Sequence, residues 1–330
     1  MSVLKIHVSY QCSAQCAHCH LRAGLKQSPA IKFDLAMTTI RELKKFNELA
    51  YVVLLGGEPG LFPELTHPLA TAIHQQGLGV RIETNASWAT DEAAANTFLR
   101  PLCAVGADIM LSVDSFHAPF VPLANVEHAI RALDALGGKY VLEVPYIDFP
   151  GARHPADIRT DELLAELEER LGRKPCAPLC KGPIFFKGRA AHALAPLAAC
   201  GRGVPSDVCD TVPWWLNGSQ STLQLLGLDP AGYLSKECGI AIGNVHTQSI
   251  EAIIGSFNAE KHPILSTLIH QGPLGLAREA AQMGYVLKSD YADKCHLCQE
   301  AREVLRPKYP TYLAPDVHYR DSLDSNGMLV

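Results

Sequence analysis

Apolar and polar positions change period in a regular way along the first 190 residues. Val3 to Tyr10 alternates and is rich in β-branched residues, the mark of a strand with two unlike faces. Leu35, Ile40, Leu43 and Phe46 then recur at helical spacing behind Asp34, a residue type that caps helices. Tyr51-Val-Val-Leu-Leu55 is a continuous apolar run, as expected of a strand buried on both faces. Leu65, Leu69 and Ile73 mark a second helix, and Val80 to Thr84 a third strand. A helix over 91–103 precedes a fourth strand over Asp108 to Val113. Val126, Ile130, Leu133 and Leu136 line one helix face, which Gly137-Gly138 ends. Tyr140 to Val144 is the fifth strand, 160–172 a charged helix, and Pro183 to Phe186 the expected sixth strand.

Six strand–helix alternations imply parallel strands joined by right-handed crossovers. In such folds chemistry collects at the carboxyl ends of the strands. The unusual residues fall there: three cysteines after the first strand, Gly56-Gly57-Glu58-Pro59 after the second, Glu83-Thr84-Asn85 at the third, and Ser112 and Asp114 at the fourth. Composition adds bounds. The 330 residues are 48% hydrophobic, enough for a large core, and the net charge of −5 gives no reason to expect a nucleic-acid partner. No apolar run reaches the ~20 residues that span a bilayer, and the start lacks a signal pattern. A cytoplasmic protein is expected, in which eleven cysteines argue for metal or redox chemistry over disulfides.

Cys12, Cys16 and Cys19 follow a C-x3-C-x2-C spacing. Three thiolates on one loop can hold three corners of an iron–sulfur cube and leave the fourth iron open. An open position is what separates catalytic from structural metal sites. The competing reading is zinc, with His18 or His20 as the fourth ligand. Gly56 and Gly57, lacking Cβ atoms, let backbone approach a ligand, or they form an ordinary turn. Ser112 and Asp114, and equally Glu83 and Asn85, can line a site or merely cap and turn.

The cysteine spacing after strand one, together with Gly-Gly-Glu-Pro after strand two, resembles the radical S-adenosylmethionine (radical SAM) enzymes over residues 1–190. The resemblance implies a partial (β/α)6 TIM-like barrel. It implies a [4Fe–4S] cluster on Cys12, Cys16 and Cys19 whose open iron chelates S-adenosylmethionine. Reductive cleavage would give a 5′-deoxyadenosyl radical that abstracts hydrogen from a substrate. It assigns Gly56, Gly57, Glu58, Pro59, Asn85, Ser112 and Asp114 to cofactor binding, with Glu58 at the ammonium and Ser112 and Asp114 at the ribose. An external electron donor, such as flavodoxin or ferredoxin, is implied too. His18 stands where the family commonly has an aromatic.

Gly188-Arg189-Ala190 resembles the end of the barrel in relatives with a C-terminal auxiliary-cluster domain of the SPASM or twitch type, so 191–330 is expected to be a small α+β domain and tail. Residues 191–220 read as a linker. Ser221 to Leu228, a turn at Asp229-Pro-Ala-Gly232 and Tyr233 to Ser235 read as a hairpin. The resemblance implies a second [4Fe–4S] cluster on Cys238, Cys295, Cys298 and Cys209, with Cys200 as the substitute for Cys209. Four-cysteine zinc is the rival. Cys103 reads as a small buried hydrophobe, and Cys176 and Cys180 as loop cysteines. Trp214-Trp215 and the tyrosine-bearing tail from Pro307 read as packing elements.

The expected activity is hydrogen abstraction from a peptide undergoing modification. The first strand begins at about residue 3, so no leader-binding module is expected ahead of it. The alternatives are a small-molecule enzyme, such as an alcohol or sugar dehydrogenase, or a non-catalytic iron–sulfur or zinc protein.

Overall fold

The computed structural model describes residues 2–26, 28–46, 49–151, 153–198, 201–209, 225–236 and 239–319. Six parallel strands lie in chain order: β1 (Ser2–His7), β2 (Leu49–Leu55), β3 (Gly79–Thr84), β4 (Asp108–Ser112), β5 (Lys139–Tyr146) and β6 (Leu179–Pro183). Helices α1 (Phe33–Phe46), α2 (Pro63–Gln75), α3 (Glu92–Ala104), α4 (Leu123–Leu136) and α5 (Pro155–Leu171) fill the crossovers.

The alternation seen in the sequence sorts side chains between the two faces of this sheet. Leu4, Ile6, Val52, Leu54, Ile82 and Leu142 are buried beneath the helices. Their neighbours Lys5, Leu55, Glu83, Met110, Ser112 and Glu143 face the inside of the partial barrel. The apolar face builds the core, and the mixed face is free for chemistry.

Local signals set several boundaries. Asp91 accepts a hydrogen bond from the Ala94 amide and starts α3. Gly137 ends α4 at φ 65°, where a side chain would be strained. Helix α5 begins at Pro155, five residues before the expected start, because proline suits a first helical turn and His154 caps it.

The sixth strand differs from the sequence expectation. It runs over Leu179–Pro183, not Pro183–Phe186. It is an edge strand with mostly exposed side chains, so it carries no apolar signature. The apolar run after it is loop: Ile184 and Phe186 are buried against the cysteine loop, and Phe185 is exposed.

The chain beyond residue 190 shares the barrel's sheet. After the short helices α6 (Ala190–Ala193) and α7 (Ala195–Ala198), β7 (Leu225–Leu228) pairs parallel with β1. Then β8 (Tyr233–Ser235) and β9 (Ala241–Asn244) follow antiparallel, extending the sheet to nine strands in the order β6-β5-β4-β3-β2-β1-β7-β8-β9. The hairpin was legible in the sequence; β9, four residues with a glycine, was not. Among the described residues helices α8 (Ile250–Ser256), α9 (Pro263–Ala281) and α10 (Lys294–Leu305) follow, the last two around a second apolar cluster. The tail packs on that cluster through Leu313 and Tyr319.

Asp229 closes the β7–β8 turn, accepting from the Tyr233 amide at 2.9 Å and the Tyr10 hydroxyl at 3.2 Å. Burial pushes its carboxyl up to about 6, and those hydrogen bonds only partly oppose the shift. A raised carboxyl favours folding only while protonated. Its contribution is complete below 3.8 and is lost as pH rises through 6, a loss of about 3 kcal/mol at 1.36 kcal/mol per unit. Asp229→Asn is therefore expected to raise the thermal midpoint relative to wild type, with a gap that widens from pH 5 to pH 8. A gap that narrows over that range would refute this account.

Candidate functional site

The segment from Val8 to Gly24 leaves β1 and folds back beside the loop after β2. The Gly57 amide donates to Ser9 O at 2.7 Å and the Glu58 amide to Gln11 O at 2.9 Å. A Cβ on Gly57 would lie 1.7 Å from Gln11 O, so only glycine permits this approach. Gly56 holds φ +134°, with Ser9 O 2.5 Å from where its Cβ would be. The neck of the cysteine loop closes through the Cys12 amide, 2.7 Å from Gly24 O.

A buried arginine anchors the loop from the other side. Arg189 is 7% exposed, and its guanidinium donates to Cys16 O at 2.8 Å and Ala23 O at 2.7 Å. Its own amide donates to Cys19 O at 2.9 Å. Gly188 before it, at φ +59°, lies against His20 backbone with no room for a Cβ. The sequence showed Gly-Arg-Ala as a boundary only; its role in gripping the loop needed the tertiary structure. Hydrogen bonds to charged groups are worth about 1.5–3 kcal/mol each. Arg189→Ala is expected to lower the thermal midpoint by several degrees and to leave less iron after reconstitution, with Arg189→Lys intermediate. Wild-type iron retention in Arg189→Ala would refute the anchoring role.

Cys12, Cys16 and Cys19 all line one cavity of about 360 Å³ at the carboxyl ends of the strands. Gly56, Gly57, Asn85 and Ser112 line it too. Asn85 reaches across, its amide nitrogen 3.2 Å from Ser13 Oγ and 3.6 Å from Cys12 Sγ. Burial pushes the Cys12 thiol up to about 12, and the buried Glu58 adds to the shift. Bound metal reverses that logic, since its charge deprotonates a coordinating thiol.

Two expected cofactor ligands point elsewhere. Glu58 is 1% exposed, and its carboxylate accepts from Gly60 N at 2.8 Å, Thr84 Oγ1 at 2.7 Å and Asn85 N at 2.8 Å. It ties the β2 loop to the end of β3 and is not directed at a ligand's ammonium; Pro59 beside it is buried. Asp114 accepts from the Phe116 and His117 amides at 2.8 and 2.9 Å, and its second oxygen lies 2.6 Å from His117 Nδ1. Burial alone would raise Asp114, but His117 and His18 outweigh it and hold the carboxyl well below the usual range. Burial would likewise lower His117, but Asp114 outweighs it and holds the imidazole well above its ordinary value. Asp114 thus positions His117, and Ser112 alone of the pair faces the cavity.

Among the described residues, one group of Cys, His, Asp and Glu side chains brings its ligand atoms within 4.8 Å of one another: Cys16, His18 and His117. The sequence offered His117, with His18 and His20, as a histidine that tunes a cluster by hydrogen bonding or merely packs; His117 and His18 come together at Cys16, and His20 is not in the group. Nδ1 of His18 is buried with no partner, and enclosure lowers that imidazole to about 4. An orphaned polar atom on a cavity wall that carries three thiols and two glycines fits a site built for a bound group. Thiols from one loop are also the donors that iron–sulfur clusters use.

Residues 6–142 match the model of the Radical SAM superfamily. The chain carries a radical SAM domain. The radical SAM family uses a [4Fe–4S] cluster and S-adenosylmethionine, and a cysteine-rich site is present here. Structures of similar fold include anSMEcpe with bound AdoMet (TM-score 0.53, 14% identity, covering 94% of this chain and 98% of that one). Streptococcus suis SuiB bound to S-adenosylmethionine is also similar (TM-score 0.51, 12% identity, 96% of this chain and 77% of that one). So is anSMEcpe with AdoMet and the Cp18Cys peptide (TM-score 0.50, 13% identity, 93% and 97%). No curated protein matches.

The C-terminal cysteines, outside the matched residues, are partly placed. Cys295 and Cys298 sit in the first turns of α10, which Asp293 caps. Asp290 accepts from the Gly201, Arg202 and Gly203 amides, and Lys294 donates to Val208 O at 3.2 Å, so residues 201–209 run beside the start of α10. Cys209 and Cys298 pack on the same apolar cluster. Cys200, Cys238 and Trp214-Trp215 lie outside the described residues. Cys176 and Cys180 are exposed, and Cys103 is half-buried against the core. No helix among the described residues is long and apolar enough to cross a membrane.

Proposed function

We propose that this protein is a radical SAM enzyme that modifies a peptide. The observation that carries the reading is the convergence of Cys12, Cys16 and Cys19 with Gly56 and Gly57 on one cavity at the strand ends. In it the three cysteines hold the [4Fe–4S] cluster, and Gly56, Gly57, Asn85 and Ser112 receive S-adenosylmethionine. When bound, the pair supplies a 5′-deoxyadenosyl radical that takes hydrogen from the substrate. The chain's own residues hold the geometry. Arg189 and the β2 loop clamp the cysteine loop, Glu58 fixes Asn85, and Asp114 fixes His117 on Cys16. Pro59 serves by shaping the loop after β2.

Peptide modification is favoured because a fold of this kind accommodates a peptide beside AdoMet in anSMEcpe. A second [4Fe–4S] cluster is assigned to Cys209, Cys238, Cys295 and Cys298. The course of residues 201–209 beside α10 supports Cys209 over Cys200 as its fourth ligand. The protein is assigned to the cytoplasm, with a flavodoxin or ferredoxin as electron donor; seven of the eleven cysteines put to metal use favour a reducing compartment.

Anaerobic reconstitution is expected to give about eight irons, and reduced protein with S-adenosylmethionine should release 5′-deoxyadenosine. No release would overturn the enzymatic reading. About four irons with retained zinc would remove the second cluster alone. Hydrogen transfer from an alcohol or sugar, with none from any peptide, would favour the small-molecule alternative.

A further inference from the structure

The inside of the partial barrel carries charge where a closed barrel carries aliphatic side chains. Lys5 of β1 stands opposite Val53, and Val53 opposite Arg81. Glu83 of β3 lies two residues beyond Arg81. Glu83 in turn stands opposite Met110, and Glu143 of β5 stands opposite Ser112, two residues beyond Met110. An advance of about one residue per strand is the stagger of an eight-stranded barrel of shear 8. Lys5, Glu83 and Glu143, from alternate strands, therefore occupy one interior layer. Such layers are normally filled by Val, Ile and Leu. All three line the 360 Å³ cavity, below Ser112 and the cysteine loop.

We infer that this layer is the substrate's docking floor, and that Glu143 recognises a cationic amine or guanidinium on the substrate. This rests on the enzymatic reading above and narrows its substrate class. Two carboxylates meet one lysine, so the ionised layer is one positive charge short. Among the described residues the Glu143 carboxyl has no hydrogen-bond partner, although it faces the cavity. Enclosure pushes it up to about 7, Glu83 adds to the shift, and His117 and Lys5 oppose it. Lys187 and His117 line the same cavity outside this layer, and neither donates to Glu143 among the described residues; a cation arriving from the cavity would balance the layer and give Glu143 a donor. A carboxylate or phosphate there would meet two like charges.

The test is calorimetric titration of the reconstituted full chain, with S-adenosylmethionine present, against three probes: Nα-acetyl-lysine methylamide, its norleucine isostere and its glutamate analogue. The lysine probe should bind about tenfold or more tighter than norleucine, the range expected for one charge-assisted hydrogen bond, and the glutamate probe should be weakest. Glu143→Gln should bring lysine and norleucine to within about twofold of each other. Lys5→Met, which removes the competing cation, should strengthen the lysine probe. Equal binding of all probes, binding of none, or a lysine preference unchanged in Glu143→Gln would overturn the inference. So would a Glu143→Gln variant that weakens S-adenosylmethionine while keeping the lysine preference, since Glu143 would then serve the cofactor. Release of 5′-deoxyadenosine by wild type is read separately, so failure of this inference leaves the enzymatic reading standing.

Discussion

Cys16→Ala is expected to leave the chain folded but unable to retain its N-terminal cluster, and to lower 5′-deoxyadenosine release by more than ~100-fold. That exceeds the 10–100-fold range found when only a ligand's supporting hydrogen bond is lost. The alanine side chain has no donor atom, and two thiolates on one side of a cube cannot hold it. Cys16 is also the most enclosed of the three cysteines at 5% exposure, packed with Phe116 and Phe186 and set against His117. Little solvent is available to substitute for its sulfur. Iron and sulfide content should fall by about four atoms each per chain, and circular dichroism should stay near wild type. Release of 5′-deoxyadenosine at the wild-type rate would refute the assignment of the cluster to this loop.

Gly57→Ala carries the second large effect, and it acts through backbone. The new methyl group would meet Gln11 O at 1.7 Å and Gln11 C at 2.4 Å, and neither atom can rotate away. The β2 loop and the cysteine loop must separate, which breaks the bonds from the Gly57 and Glu58 amides to Ser9 and Gln11. Overpacking usually costs about 1–3 kcal/mol. A contact between two main chains belongs at the upper end, and Cys12 moves with it. The expected result is reduced stability together with impaired cluster retention. Gly77→Ala is the control. It sits at φ +72° with no atom within 4 Å of the new Cβ, so it costs about 1–2 kcal/mol of backbone strain while leaving iron content at the wild-type level. Equal iron retention in both variants would show that the two loops need no such close approach.

The sequence by itself determined the parallel framework and the place of the chemistry. Alternation in β1 and β3, the apolar run in β2 and the helical period in α1 and α4 all express one physical fact: apolar side chains must leave water on one side of each element. Glycines and cysteines at consecutive strand ends marked the site for the same reason, because nothing in a buried framework requires them there. The sequence failed where burial supplied no signal. Strand β6 is an exposed edge, and its apolar neighbours Ile184 and Phe186 are buried as loop under the cysteines.

Only the tertiary structure decided which polar residues face the cavity and which are spent inside the protein. Glu58 and Asp114 carry the same charge and stand at comparable strand ends, yet both turn inward to satisfy backbone amides and a histidine. Unsatisfied buried amides are costly, and that cost settles their direction. Arg189 reaches the loop across 173 residues of chain to Cys16, a distance at which no local pattern records a partner. Glu83 stood out only as a strand-end residue, and Lys5 and Glu143 looked like ordinary positions in alternating strands. The stagger of the barrel brings them to one level, and stagger is a property of strands packed together.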